Sequence, residues 1–503
     1  MICTARLLTI ICAMRAVLAT AADAPVVVDS RKQLFLDDYM IASMTKVKRT
    51  VEHAQKFSGN PVLGKTESWE SPLAIIYGSV IRDGSGFKMW YLSRNKSGYG
   101  VSYATSDDGI RWNKPRLNLT PVDGENTNIL FTKETIWTGS KELPYFQELF
   151  GVHRDEREPD PARRYKMAFL DIDWKYNGPD NLPWHKGQRR GIGIAGSPDG
   201  IHWKLIDSWA SVAITDGATH WMFDPARGKY VLYGRTLVEN PEVKAAWSSN
   251  EGFKQWYSGR AVGRIESDDF VKWNFTKPLT APVVMTADLQ DKPITEVYSL
   301  KVFPYEGIYI GLVQVLHSAP EEGTLDVQLA VSRDSIHFTR VGDRGTFIPL
   351  GPVGSWDRFN LSLANNDPIV AGDDLRFYYS GRLYRHEPYS GPDKGVDKSS
   401  IGFATIKRDR FVALESSFDG GEILTRPLQL KGKTFHLNAK SDSGEIIVEL
   451  LDADGKQIGR STSIQRDSLD IPVEWADRVD MPGLVQLRIK LSNARLFALW
   501  CSQ

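Results

Sequence analysis

Beyond residue 34 the chain is written in short runs where apolar and polar residues alternate, broken by clusters of Gly, Asp and Pro. That period of two predicts half-buried β-strands, and the clusters predict the turns between them. The first such run is 34–41, LFLDDYMI. Five cycles of one pattern follow, each opening with a hairpin. Residues 77–81 turn through Asp83-Gly84-Ser85-Gly86 into 87–92, and 148–153 pair with 165–170 across a proline-bearing loop. Residues 220–223 pair with 230–233, 299–303 with 308–315, and 368–370 with 375–380. The turns carry Gly and Asp, which tolerate the positive φ that tight hairpins require. A third strand follows each hairpin, at 100–104, 191–195, 261–265, 327–331 and 401–405. No stretch has the period of a long amphipathic helix.

A repeated sentence closes each third strand. Ser106-Asp107-Asp108-Gly109-Ile110-Arg111-Trp112 and Ser197-Pro198-Asp199-Gly200-Ile201-His202-Trp203 are two copies of Ser-x-Asp-Gly-Ile-x-Trp. Ser267 to Trp273 and Ser332 to Phe338 are looser copies, and Lys407-Arg408-Asp409-Arg410-Phe411 is a worn fifth. An Asp in such a turn accepts local backbone N–H bonds, and a Gly relieves the backbone. The motif therefore reads as a structural staple between a third and a fourth strand, its aromatic packed between neighbouring sheets. Four antiparallel strands repeated five times make an all-β chain whose expected architecture is a five-bladed β-propeller over 28–419. Past Gly420-Gly421 the cadence shortens, and 420–503 reads as a small C-terminal β-sandwich.

Residues 1–22 read as a signal peptide: Arg6, an apolar run over 7–19 interrupted by Arg15, and an Ala19-Thr20-Ala21 cleavage site. The expected location is secreted or periplasmic. Cys3 and Cys12 leave with that segment, so Cys501 stands alone and no internal disulfide or Cys-based metal site is expected. Lys+Arg and Asp+Glu are equal at 62 each, which removes the electrostatic case for nucleic acid or an anionic membrane. Fifteen Trp and 18 Tyr supply flat rings suited to cores and to the C–H faces of sugars. The expected partner is a carbohydrate; the sequence sets no oligomeric state.

A propeller places its ligand at the mouth of the central channel, among residues that open each innermost strand. These are Trp69 and Glu70, then Gln147 and Glu148, Asp216 and His220, Glu296, and finally Asn365, Asn366 and Asp367. Carboxylates converge there with Trp69, Trp221 and Tyr298 beside them. Paired carboxyl groups across a sugar are the machinery of glycoside hydrolysis, one donating a proton and the other acting on water or on the sugar. Glu296, ahead of an apolar strand, is the candidate general acid. Asp216, Glu70 and Glu148 are candidates for base or nucleophile. His220, Trp221, Trp69 and Tyr298 are candidate sugar contacts, and Arg94 and Arg235, ending second strands, could hold a carboxylate or sulfate. Asp171 and Asp173 alternate in one run and read as loop caps. No phosphate loop, dinucleotide fingerprint, nucleophile elbow or H-E-x-x-H is present. No cofactor is called for; a Ca²⁺ held in the channel by backbone and carboxylate oxygens would leave no mark in the sequence. Two other readings stay open: a non-catalytic carbohydrate-binding propeller, and a glycoside phosphorylase.

The runs at 34–41, 103–115 (YATSDDGIRWNKP), 197–203, 222–235 (MFDPARGKYVLYGR) and 402–414 (GFATIKRDRFVAL) resemble bacterial, planctomycete-type secreted proteins related to glycoside hydrolase families 32 and 43. The resemblance spans 28–503 and implies their five-bladed fold with a C-terminal β-sandwich. The family 32 motifs W-M-N-D-P-N-G, R-D-P and E-C are absent; Met222-Phe223-Asp224-Pro225 only echoes the first, inside a hairpin.

Overall fold

The computed structural model describes residues 24–95, 98–132, 145–173, 189–212, 218–250, 252–274, 277, 279–318, 322–386, 398–479 and 483–503. The expected signal peptide, 1–22, lies outside them. The chain is almost wholly β and divides into two compact units, one of residues 53–406 and one of 1–52 with 407–503. This corrects the expected boundaries of 28–419 and 420–503. Val26–Val28 runs parallel to Leu428–Leu430, Ile41–Thr45 pairs with Gly421–Thr425, and Lys48–Val51 pairs with Val412–Ser416. Alternation along a strand names its buried face but not its partner, and here the partners are almost 400 residues away.

Residues 53–406 hold five successive antiparallel groups. In the first, the inner strand is split into Ala74–Ile75 and Val80–Asp83, followed by Gly86–Asn95, Gly98–Ser106 and Ile129–Thr132. The second is Tyr145–Arg154, Tyr165–Asp173, Arg189–Ser197 and Lys204–Ser211. The third is His220–Asp224, Lys229–Leu237, Arg260–Ser267 and Val283–Met285. The fourth runs Thr295–Tyr305, Ile308–His317 and Thr324–Ser332, with Thr339–Arg340 and Thr346–Ile348 outermost. In the fifth, Asn360–Leu363 and Ile369–Ala371 pair with Asp374–Arg382, which neighbours Ser399–Lys407. Its outermost strand comes from the other end of the unit: Gln55–Lys56 pairs with Thr405 and Ala404. Between the two pieces Ser79 and Trp90 exchange backbone N–H···O bonds at 3.1 and 2.9 Å, and the chains approach so closely that a Cβ on Gly78 would sit 1.9 Å from the Trp90 carbonyl oxygen.

Apolar faces pack group against group in cyclic order. Trp90, Leu92 and Tyr103 meet Leu149, Met167 and Phe169. Phe150, Leu170 and Ile192 meet Trp221, Leu232 and Ile265, and Met222 and Tyr233 meet Val297 and Val313. Phe377 lies against Phe303 and Phe347, with centroids 6.3 and 5.2 Å apart. Tyr378, Ile401 and Phe403 of the fifth group then meet Ile76, Met89 and Tyr91 of the first.

The repeated motif serves this packing. In all four clear copies the Asp accepts from two backbone N–H groups; Ile110 and Arg111 donate to Asp108 Oδ1 at 2.8 Å each, as Ile201 and His202 do to Asp199. These bonds hold the Asp108 carboxyl down to about 2. The fourth motif position has positive φ in every copy, at Gly109, Gly200, Phe270 and Ser335. Its carbonyl faces the preceding group: Trp90 Nε1 donates to Gly200 O (2.7 Å), Tyr233 OH to Ser335 O (2.7 Å) and Tyr378 OH to Gly109 O (2.5 Å). The motif is a socket for a neighbour's aromatic donor.

The other unit consists of two sheets around one core. One is built on Leu484–Ser492, flanked by Glu445–Leu451, Gly421–Thr425 and Leu428–Leu430; the other is built on Ala494–Ser502, flanked by Thr434–Lys440 and Val412–Ser416. Val448, Leu487 and Ile489 from the first enclose a core with Leu437, Leu496 and Leu499 from the second. Cys501, expected to stand alone, is free and buried. Asp37 and Asp38 belong to this unit, where Asp38 pairs with Arg49 (2.5 Å). Asp409 of the worn fifth motif pairs with Lys32 (2.5 Å).

Candidate active site

The inner strands of all five groups meet in one buried hydrogen-bond network. Ser79 Oγ donates to Asn365 O (2.8 Å) and accepts from Val152 N (3.0 Å). Asn365 Nδ2 donates to Tyr77 O (2.5 Å), while its Oδ1 accepts from Lys301 Nζ (2.7 Å). Lys301 Nζ also reaches Ala218 O and Thr219 O, at 2.8 and 3.2 Å. Its exposure is 3%, and that burial holds its pKa well below the ordinary lysine value. His220 Nε2–H donates to Val302 O (2.7 Å), with Nδ1 3.2 Å from Asn365 Oδ1. Burial, then the Lys301 charge, push its pKa well below 6.5, against the bonds to Val302 and Asn365 that raise it. Asn365 can approach this closely because residue 151 is Gly; a Cβ there would lie 2.6 Å from Asn365 Cβ.

This plug divides the inner strands. Beyond it in the chain direction, His153, Asp155, Trp221, Pro304 and Asp367 line a small crevice of 170 Å³. Before it come Tyr77, Glu148, Glu296 and Tyr298, joined by the ends of other strands. Arg382, closing the second strand of the fifth group, donates to Tyr384 OH (2.7 Å) and Tyr77 OH (3.2 Å). The Tyr77 hydroxyl also bonds Tyr298, and burial drives its pKa well above 10. The Glu148 charge bears on Tyr77, Lys301 and Arg382 alike, placing its carboxylate among them. Arg260 lies over the Tyr298 ring at 3.6 Å and donates from Nε to Tyr298 O (3.1 Å).

Two residues before Tyr298, the Glu296 carboxyl is 4% exposed and is held by one strap of chain. Ser258 N (2.6 Å), Ser258 Oγ (2.8 Å) and Arg260 N (3.2 Å) all donate to Oε1, while Oε2 takes no hydrogen bond among the described residues. Three donors on one oxygen fix the orientation of the group and leave the other oxygen available. The strap ends an insertion between two strands of the third group. Pro241–Trp247 and Phe253–Trp256 form short helices there, the first capped by Asn240. Leu237, Val238, Phe253, Tyr257 and Ser258 line a crevice of 370 Å³ within it. Phe253 and Tyr257 stack at 4.9 Å, both half-buried. Burial, and then the Glu296 charge, push the Tyr257 hydroxyl up to about 12, so carboxylate and phenol are neighbours.

Of the expected site residues, Glu148, Glu296 and Tyr298 come together here, and Asp216 lies outside the described residues. Several others are corrected. Glu70 is engaged elsewhere: both oxygens accept from Lys114 Nζ at 2.7 Å, and Thr66 and Glu67 donate backbone N–H bonds to it. Trp69 is buried against Val122 and Ile129, with the Arg116 guanidinium 4.1 Å over its ring, so no face is open to a sugar. Trp221 is 1% exposed, wedged against Phe270 with Nε1 bonded to Gly151 O (3.2 Å). His220 belongs to the plug. Arg94 is exposed, 5.8 Å over Tyr99, and Arg235 is half-buried two residues from the end of its strand, opposite Val262. Asp171 is fully buried within a strand, opposite Gly191, rather than capping a loop; the side chain of Asp173 lies outside the described residues. Among the described residues no cluster of three His, Cys, Asp or Glu could hold a metal ion.

Tyr77, Ser258, Arg260, Lys301, Arg382 and Tyr384 were not anticipated. Arg382 was within reach of the rule that picked Arg94 and Arg235, since all three lie toward the ends of second strands. The fifth such strand runs two residues past Ser380, and the arginine is its last residue.

No family model matches the chain, and no curated protein matches it. Among solved structures, a glycosyl hydrolase from Bacteroides ovatus aligns at 14% identity over 72% of this chain and 95% of its own, with a TM-score of 0.46. An N-acetylgalactosamine deacetylase from F. plautii, in complex with blood group B trisaccharide, aligns at 14% over 73% and 97%, TM-score 0.42. A thermostable family-43 glycoside hydrolase aligns at 11% over 69% and 96%, TM-score 0.42. Similarity at this level carries no argument about activity, which has to rest on the chain's own residues.

Proposed function

We propose that residues 53–406 form a five-bladed β-propeller closed by Gln55–Lys56, that the other unit is a β-sandwich, and that the chain is a secreted or periplasmic glycoside hydrolase-like protein acting on poly- or oligosaccharides. What supports this reading is that Glu148 and Glu296 each stand on an inner strand before the plug, Glu296 with one oxygen held by three donors and the stacked Phe253–Tyr257 pair near it. In it Glu296 Oε2 gives its proton to the leaving glycosidic oxygen. Glu148 is the partner carboxylate, acting on water or on the sugar carbon. The half-buried Phe253–Tyr257 pair offers faces for sugar rings. Among the described residues no helix is long and apolar enough to cross a membrane.

The test is a screen of polysaccharides and aryl glycosides for released reducing sugar. Wild type, Glu148→Gln and Glu296→Gln are compared, with sugar binding followed by calorimetry. The expected result is turnover by wild type that falls at least about 100-fold in each variant while binding persists. Saccharide binding without turnover would instead support the non-catalytic reading. Turnover unchanged in both variants would remove the carboxyl pair.

A further inference from the structure

Arg382 forms no ion pair with a carboxylate among the described residues, although the Glu148 charge reaches it. Its Nη1 and Nη2 bonds end on two phenol oxygens, its Nε is buried and takes no partner among the described residues, and no described carboxylate lies within ion-pair distance. Three other arginines of the same unit whose side chains lie away from its surface are paired with carboxylates. Arg340 reaches Asp291 at 2.7 Å, Arg344 reaches Asp288 at 2.6 Å, and Arg264 reaches Glu266 at 3.0 Å. Arg382 instead lies beside Tyr77 and Tyr384, within reach of the Glu148 charge. Tyr77 and Tyr384 accept from the guanidinium and steer its plane. A planar fork held in this way matches a planar two-oxygen anion, which takes parallel N–H···O bonds from it. The Glu148 carboxylate would repel an anionic sugar unless a cation in the same cluster offset its charge.

Resting on the glycosidase reading, we propose that the substrate is an acidic glycan and that Arg382 binds the carboxylate of a uronic acid-type residue, which makes it a specificity-determining residue. A sulfate ester shares the negative charge but is tetrahedral, and the fork favours the planar group.

The test compares wild type with Arg382→Gln and Arg382→Lys on matched aryl glycosides of both anomers: a neutral hexoside, its uronide and its 6-sulfate. Calorimetry of glucuronate, galacturonate and the neutral sugars, with melting temperatures for each variant, runs alongside. Wild type should favour the uronide, and Arg382→Gln should lose about 10- to 100-fold on it, mainly in KM, with little change on the neutral hexoside. Arg382→Lys should recover part of that loss. Equal losses on neutral and acidic substrates, or a wild-type preference for the neutral or sulfated glycoside, would overturn the assignment. If no glycoside is turned over, the hydrolase reading fails and binding decides this one. Uronate binding abolished in Arg382→Gln supports it; no uronate binding, or binding equal in wild type and variant, overturns it.

Discussion

Acidification from pH 7 to pH 5 should cost residues 53–406 stability through His220. The ring is 1% exposed, its Nε2–H is committed to Val302 O, and Lys301 stands on the far side of the shared Asn365 oxygen. Burial, and then the Lys301 charge, oppose a second proton, and the folded-state pKa lies well below 6.5. Unfolded, the same imidazole titrates near 6.5. Between pH 7 and pH 5 the unfolded chain therefore binds more protons than the native one, so stability rises with pH across this window and is lost on acidification. If the native ring takes up no proton there, the loss is about 1.4 kcal/mol per pH unit once below 6.5, or about 2 kcal/mol by pH 5. His153, whose pKa burial lowers to about 4, adds a further contribution of the same sign. The assay is guanidinium denaturation followed by tryptophan fluorescence at pH 7, 6 and 5, for wild type and His220→Gln. The variant is less stable throughout, since Val302 O loses its donor, but its pH dependence should be shallower by about 2 kcal/mol over the range. Identical pH dependence in the two proteins would show that His220 is protonated in the fold, and would refute the neutral plug.

Closure and the split inner strand give two further predictions. Lys56→Met leaves the Asp357 carboxylate, 2% exposed, without its 2.5 Å ion pair; Ser355 Oγ at 2.8 Å and Tyr379 OH at 2.9 Å then remain as its donors. Removing one partner of such a pair costs about 3–5 kcal/mol, and Lys56→Met/Asp357→Leu should regain much of it; thermal unfolding that leaves the single variant unchanged would argue against closure through this strand. Gly78→Ala drives a methyl into the Trp90 carbonyl and the Leu149 side chain, so it should cost about 3 kcal/mol or more and lower soluble yield. A variant as stable as wild type would mean that the backbone approach at Gly78 leaves room for a side chain.

The elements that local chemistry dictates were legible in the sequence. Strands expected over 299–303 and 308–315 are Thr295–Tyr305 and Ile308–His317, and the Ser-x-Asp-Gly turns form as their Asp and Ser side chains require. Long-range pairing was not legible. Nothing in Leu34 to Ile41 says that the chain around it joins the C-terminal sheets, and nothing near Glu70 announces Lys114, 44 residues on. Trp221 shows a second ambiguity. A ring wedged between two sheets and a ring offered to a sugar have the same sequence signature, and only the packing against Phe270 tells them apart. Glu296 was readable because it opens an apolar strand. Its strap was not, since Ser258 and Arg260 lie 38 and 36 residues before it in an insertion without a repeat.

The most direct test of the central claim is the leaving-group dependence of Glu296→Gln. A general acid matters most when the departing oxygen is a poor leaving group, and such a group contributes about 100- to 10,000-fold. The variant should lose that much on an oligosaccharide and far less on an aryl glycoside whose phenol leaves without a proton. Equal losses on both substrates, or no loss on either, would contradict the assignment of Glu296 and with it the account of this site as a glycosidase.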